Sequence, residues 1–451
     1  MAPGSPRHTR EEATLGISGP GPLHLLRNRF VGLYEIARGR GNYTEQERNI
    51  ALLYLDIASA SVLSAAASFN SAFALRLGAT NALIGLMTSL PALITMLAMI
   101  PASAIVERQT RRWPIMVRSL GITRILFFPV AFIPLLVPKG YQAMALVAVL
   151  TFRFLPVLVF SAGFDSVLAD IVPPQLRSQV FSWRNILATA AVVVSLLLTQ
   201  PWLQWAPFPL NYQVVFFVGG IAGMASVWFL TRMRVPDVAP VVPKERRKGL
   251  RLADVRQVLR GQPEYVRLVV NTLIGNAGAF LASPVYMIYY VRALNASDGW
   301  IATSTLVSNL ATMIGYLAWR RLLPKLGESR TLRVTWPVTG LLPVLIGLSG
   351  SLNLVLLVIF VYGLVVPGLN LSHYNTLLEV CPQARRPTYI SVYSSLVNVL
   401  AFLLPMAGVA LADSIGLTWT LVLSGGLWIV GGLAFSLMRI RVADVSQAEA
   451  Q

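Results

Sequence analysis

Two stretches of the chain carry the same punctuation 209 residues apart. Positions 169–187 read ADIVPPQLRSQVFSWRNIL and positions 378–396 read LEVCPQARRPTYISVYSSL. Asp170 aligns with Glu379, Pro173 with Pro382, Arg177 with Arg386 and Ser182 with Ser391. An acid and an arginine a few residues apart can form an ion pair, and a proline between them stops a helix. The chemistry on offer is electrostatic: tying helix ends together. Asp56, Arg124 and Arg153 stand inside long apolar runs. There an ionised side chain costs roughly 2.5–3.5 kcal/mol, so each needs a partner or a ligand.

The elements that position these residues follow from composition. The apolar fraction is 55%, the charged fraction 12% and the mean hydropathy +0.64. A soluble domain carries about a quarter charged residues. Crossing about 30 Å of hydrocarbon takes roughly 20 apolar residues in a helix. Such runs occur about twelve times, at 49–75, 82–106, 114–137, 141–168, 180–203, 212–231, 266–291, 299–319, 334–350, 352–376, 389–412 and 417–438. The expected fold class is an all-α integral membrane protein.

The formal charge of +18 does not call for nucleic acid, because its distribution follows the membrane. With the N-terminus placed in the cytoplasm, 30 of the 37 Lys and Arg fall on the inner side. Arg76, Lys139 and Arg292 alone fall in outer loops, and Arg118, Arg124, Arg153 and Arg267 within spans. This is the positive-inside bias, and it places both termini in the cytoplasm of a multi-pass plasma (inner) membrane protein. The lipid bilayer is then a partner, nucleic acid is not, and a monomer is expected. Leu23, Leu26, Phe30, Leu33 and Ala37 recur at helical spacing among arginines, as in a helix lying on the inner surface. A disordered basic tail is the other reading of that segment.

The composition breaks once, at 232–264, which is rich in Pro and Arg. The chain divides accordingly: a cytoplasmic segment 1–48, a six-span block 49–231, the linker 232–264, a second block 265–438 and a tail 439–451. A repeat supports the division. LGATNALIG at 77–85 matches LNASDGWIA at 294–302 at an offset of 217, which also lays Arg108 on Lys325. A block of six spans returns the chain to its starting side, so the halves face the same way. An axis along the membrane normal relates such halves.

Asp170 and Glu379 end their spans, where the helix dipole already leaves partial negative charge. Cations nearby are needed, and Arg177 and Arg386 are the natural ones. Glu107 has Arg108, Arg111 and Arg112 beside it. These residues suggest a cytoplasmic ion-pair lattice; the alternative is ordinary positive-inside charge with incidental acids. Asp56 begins a small, polar stripe continuing through Ala60, Ser64, Ser68 and Ser71. It either faces a cavity, carrying a proton or meeting a cation, or pairs with an arginine. Two mid-span arginines against one aspartate leave a positive excess, which favours an anionic or zwitterionic ligand or a pairing with Asp165. In the second half, Asn271, Asn276 and Ser283 line part of the seventh span, and Pro284 and Pro367–Gly368 are expected to loosen the seventh and tenth. His373 either titrates near neutral pH or packs by hydrogen bonding. Three His and one Cys, Cys381, build neither a zinc site nor an intrachain disulfide. No metal, cofactor or catalytic constellation is expected.

SAIVERQTRR at 103–112 resembles the loop 2–3 signature of the major facilitator superfamily, an acid–Arg pair, a small residue and two basic residues. Glu107 replaces the usual Asp, Thr110 the usual Gly and Ser103 the leading Gly. RRLLPKLGESR at 320–330, with Lys325 and Arg330, resembles the degraded second copy, Pro324 standing where the acid would be. ADIVPPQLRSQVFS resembles that superfamily's loop 4–5, and LPMAGVALAD at 404–413 its eleventh-helix ending. The resemblance covers the whole membrane part and implies twelve helices in two six-helix bundles, parallel pseudo-twofold repeats around a central cavity. It implies a secondary active transporter moving a small-molecule substrate by alternating access, with Glu107 and Arg108 stabilising the outward-open state. Arg153 resembles the fourth-helix arginine of proton-coupled members, which with Asp56 makes the proton the candidate coupling ion. The fifth span, 180–204, lacks glycine, so the motif of drug–proton antiporters is missing. A non-transporting receptor or scaffold on the same fold is the alternative.

Overall fold

The structure, a computed structural model, describes residues 44–172, 174–235, 262–382 and 386–437. The basic segment with its surface helix, most of the linker, Pro173 and the tail lie outside the described residues. Within them the chain is helical, with no strand. Twelve helices are long and apolar enough to cross a membrane. They are α1 Glu45–Arg76, α2 Asn81–Met99, α3 Arg112–Leu136, α4 Lys139–Phe164, α5 Val180–Trp205, α6 Leu210–Thr231, α7 Pro263–Ala293, α8 Asp298–Leu326, α9 Glu328–Leu348, α10 Leu352–Val380, α11 Tyr389–Ile415 and α12 Leu417–Phe435. Large apolar side chains such as Leu97, Leu136, Phe152, Leu198, Leu317 and Leu433 are exposed, as lipid-facing surfaces require.

Helix pairing reveals the symmetry. In the first half α1 packs on α5 and α6, α2 on α4, and α3 on α4 and α6. In the second, α7 packs on α11 and α12, α8 on α10, and α9 on α10 and α12. Each second-half pair is a first-half pair advanced by six. Between halves, α2 packs on α11 and α5 on α8, two contacts that the same advance exchanges. Two six-helix bundles related by a pseudo-twofold axis give this pattern.

The repeat motif has the same backbone in both copies. Gly78 has φ 86° and Asn295 φ 51°, both left-handed. Glycine and asparagine are the residues that tolerate that region. Two residues on, Thr80 accepts a hydrogen bond from Leu83 N at 3.3 Å, and Ser297 one from Trp300 N at 3.1 Å. These are side-chain N-caps, and they start α2 and α8.

Prolines act locally. Pro129 and Pro156 lack the N–H that would continue the preceding turn. The α3 helix is accordingly interrupted between Ile125 and Phe128, and α4 at Arg153. The expected loosening of α7 and α10 is not what forms: α-helix is continuous over Pro263–Ile288 and Leu352–Val380. In α7 the Ser283 hydroxyl donates to Phe280 O at 3.0 Å, the carbonyl that Pro284 leaves unpaired. In α10 the Trp319 indole donates to Leu364 O at 2.9 Å beside Pro367.

Candidate functional site

The first half buries a charged cluster. Asp56 is 3% exposed and faces α5 and α6, within the bundle. Ser226 of α6 donates to its Oδ1 at 2.6 Å, and Arg184 Nη2 of α5 lies 4.0 Å from Oδ2. Arg124 of α3 is within electrostatic reach of the same carboxylate. Its methylene stem passes Gly223 of α6, where a methyl group would sit 3.1 Å from Arg124 Cδ. Arg153 of α4 is close enough to Arg124 for the two charges to repel, and its guanidinium lies 4.7 Å above the Phe127 ring. The Arg184 guanidinium likewise lies 4.8 Å above Phe164. Helix interruptions help to place these cations. Arg124 occupies the last turn of Arg112–Ile125, and Arg153 caps Gln142–Phe152. Helix C-termini carry partial negative charge, which favours a guanidinium there. Arg124 Nε and Arg153 Nη1 are buried and have no hydrogen-bond partner. Ser64, two turns from Asp56, is exposed and donates to Ala60 O at 3.0 Å.

The second half holds an uncharged counterpart. Asn271 is fully buried, and neither polar atom of its amide has a partner. Thr272 Oγ1 and His373 Nε2 share a hydrogen bond of 2.9 Å between α7 and α10. The imidazole packs against Trp336 and Tyr393, with ring centroids 5.4 and 5.8 Å away. Asn276 is half-buried, one turn from Thr272. Tyr286 Oη and Trp300 Nε1 are buried without partners.

The end of the bundle opposite the termini is fastened by residues the sequence reading passed over. Arg76, at the end of α1, places Nε 2.8 Å from Asp298 Oδ1 of α8 and donates from Nη2 to Ala296 O at 2.7 Å. Arg292, at the end of α7, donates from Nη1 to Asn81 Oδ1 of α2 and from Nη2 to Ala79 O, both at 2.6 Å. Ala79 and Ala296, and Asn81 and Asp298, are equivalent positions of the 217-residue repeat. Each half therefore reaches across with an arginine and grips the same two positions of the other half. Asp298 also accepts from Tyr212 Oη at 2.8 Å and Asn211 Nδ2 at 3.3 Å, and Asp413 from Asn81 Nδ2 at 2.5 Å. A signal for these residues was present: an arginine precedes both copies of the motif, and the second copy carries an acid in a loop set poor in charge. Arg184 reads from the sequence as an inner-side residue, whereas the helix that begins at Pro174 carries it into the bundle.

At the terminal end, Arg108, Arg111, Lys325, Arg330 and Glu379 are exposed. Arg112 is half-buried, with Nε and Nη2 lacking partners. Ion pairs join Arg234 to Glu45 at 2.7 Å and Arg267 to Glu264 at 3.0 Å. The side chains of Glu107, Asp165, Asp170, Arg177 and Arg386 lie outside the described ones. Among the described residues no group of three or more His, Cys, Asp or Glu could hold a metal ion.

The fold recurs among solved structures. The chain superposes on a mutant of the nucleoside transporter NupG with a TM-score of 0.66 at 13% identity, covering 86% of this chain and 99% of that one. It superposes on a POT family transporter in complex with 5-aminolevulinic acid with a TM-score of 0.68 at 14% identity, covering 88% and 97%. It also superposes on a bacterial homolog of the human lysosomal transporter Spinster, inward-facing and unoccupied, with a TM-score of 0.61 at 14% identity, covering 88% and 97%. No curated protein sequence matches the chain. The sequence profile of the Major Facilitator Superfamily matches residues 52–379. With twelve membrane helices in two pseudo-twofold bundles, the chain is a multi-pass membrane protein that belongs to the major facilitator superfamily of transporters.

Proposed function

We propose that this protein is a secondary active transporter that moves a small solute by alternating access, one bundle rocking against the other. The observation that carries this reading is the pair of cross-half clasps at Arg76 and Arg292. They are made of hydrogen bonds and one ion pair between polar residues, and such contacts can break and re-form. With the termini in the cytoplasm, as the charge bias argues, the clasps close the extracellular side of a plasma-membrane protein. The state described is then the one open, or opening, to the cytoplasm. Glu107, Arg108, Arg111, Arg112, Asp170, Arg177, Lys325, Arg330, Glu379 and Arg386 at the other end are the candidates for the opposing gate.

The solute site is assigned to Arg124 and Arg153 of the first half, with Asn276 as the candidate from the second. Asp56, hydrogen-bonded by Ser226 and flanked by Arg184 and Arg124, is the candidate proton carrier. Counterflow of labelled solute in liposomes reconstituted with the full chain tests the reading. A transporter exchanges a labelled solute against an internal pool of the same solute. Ligand binding without exchange would identify a receptor instead.

A further inference from the structure

We infer that the transported solute is an organic anion, its carboxylate or phosphate group seated against Arg124 and Arg153 at mid-depth in the first half; this rests on the transporter reading above. Three guanidiniums, Arg124, Arg153 and Arg184, gather around one described carboxylate, Asp56. The ion pair of Asp56 with Arg184 uses that carboxylate first. Its second oxygen is held by Ser226, and the distance leaves Arg124 only a through-space attraction. Arg153 has no described acid beside it and has Arg124 as its charged neighbour. Two like charges at mid-membrane repel with little water to screen them.

Their donors are also unfilled. Arg124 Nε and Arg153 Nη1 are buried without partners, although buried polar groups are as a rule hydrogen-bonded. An oxyanion satisfies both deficits together, since a planar guanidinium fork matches carboxylate and phosphate oxygens. A neutral solute would fill the hydrogen bonds and leave the charge. A cation would worsen both. The Phe127 ring lies 4.7 Å from the Arg153 guanidinium, a contact that does not use the Nη1 hydrogens.

The test uses the full chain, purified in uncharged detergent, and reads its melting temperature. The probes are succinate, citrate, glycerol 3-phosphate and inorganic phosphate at about 20 mM, well above the upper end of ordinary substrate affinities. Succinamide, glycerol and choline at matched ionic strength are the controls. At least one anion is expected to raise the melting temperature while the controls do not. That anion is expected to show counterflow, and Arg153→Gln and Arg124→Gln to weaken its half-saturating concentration by about tenfold or more. Should either glutamine variant fail to fold, Arg153→Lys keeps the charge and loses the fork, and a smaller weakening is expected from it. The inference is overturned if none of the anions stabilises the protein, if succinamide or glycerol does so equally, or if the anion effect survives in both glutamine variants. Stabilisation by phosphatidylglycerol with none from the soluble anions assigns the cluster to a lipid headgroup and also overturns it. Counterflow of a neutral or cationic solute defeats the anion inference and leaves the transporter reading intact. Anion binding without counterflow defeats the transporter reading instead.

Discussion

Arg76 Nε of the first half lies 2.8 Å from Asp298 Oδ1 of the second, and the repeat-related Asn81 receives Arg292 from the opposite direction. The two clasps are the same device used twice. Their acceptors differ: a carboxylate at 298 and a neutral amide at 81. Both are hydrogen bonds from an ionised guanidinium, which contribute about 1.5–3 kcal/mol each, and at 298 the carboxylate adds ion-pair attraction. Arg76→Ala is therefore expected to shift the conformational equilibrium away from the clasped state by roughly 10- to 150-fold, and Asp298→Asn by less than Asp298→Ala. Solvent accessibility of a thiol placed at the outer end, in a Cys381→Ser background, measures the shift. Equal effects of the two Asp298 variants would show that the carboxylate's hydrogen bonds are not what matters.

Asp56 is the one described carboxylate among three half-buried arginines. Removing one partner of a buried ion pair costs about 3–5 kcal/mol, because the other charge is left alone. Asp56→Asn is expected to lower the melting temperature by several degrees in detergent, and Ser226→Ala by less. If Asp56 carries the coupled proton, Asp56→Asn retains counterflow and loses accumulation driven by a pH gradient. Unchanged pH dependence and rate in Asp56→Asn and Asp56→Ala would remove Asp56 from the coupling role.

His373 shares a hydrogen bond with Thr272 and is enclosed by Trp336 and Tyr393. That setting gives it a packing role between α7 and α10. His373→Gln, which keeps a donor and an acceptor, is expected to cost about 1 kcal/mol of stability and to leave the pH profile of transport in place. A profile displaced in His373→Gln would restore the alternative in which this imidazole titrates during transport.

Gly275 of α7 lies under the Trp336 indole, and a methyl group there would collide with Nε1. Overpacking of this kind costs typically about 1–3 kcal/mol. Gly275→Ala is expected to broaden the size-exclusion profile and lower the melting temperature, with partial recovery on adding Trp336→Phe, whose smaller ring lacks Nε1, the nearest of three colliding indole atoms. Failure of the second substitution to help would place the strain elsewhere.

Much of this architecture is legible in the sequence. Twelve apolar runs appear as twelve helices, because the hydrocarbon thickness sets their length and backbone polarity demands helix. The 217-residue offset marks the same left-handed turn and N-cap in both halves. The solitary charges Asp56, Arg124 and Arg153 stand out because apolar surroundings make them costly. What was not legible is which distant residue meets which. The clasp joins residues 222 apart in Arg76–Asp298 and 211 apart in Arg292–Asn81. No local periodicity encodes such pairs; they follow from the way two bundles face each other. The continuity of α-helix through Pro284 depends on its surroundings in the same way. A proline frees a carbonyl, and whether the helix opens depends on a neighbour that can donate to it, here the Ser283 hydroxyl.

The most direct test of the double clasp is a distance between spin labels at positions 140 and 350. Gly140, in the first turn of α4, and Gly350, between α9 and α10, are exposed, sit at the clasp end of opposite halves and have open space around them. Pulsed electron–electron resonance is measured on Gly140→Cys/Gly350→Cys in a Cys381→Ser background, with and without Arg76→Ala and Arg292→Ala together. The account expects one narrow distance distribution when both arginines are present, and a second, longer population when both are gone. An unchanged distribution after loss of both arginines would contradict it.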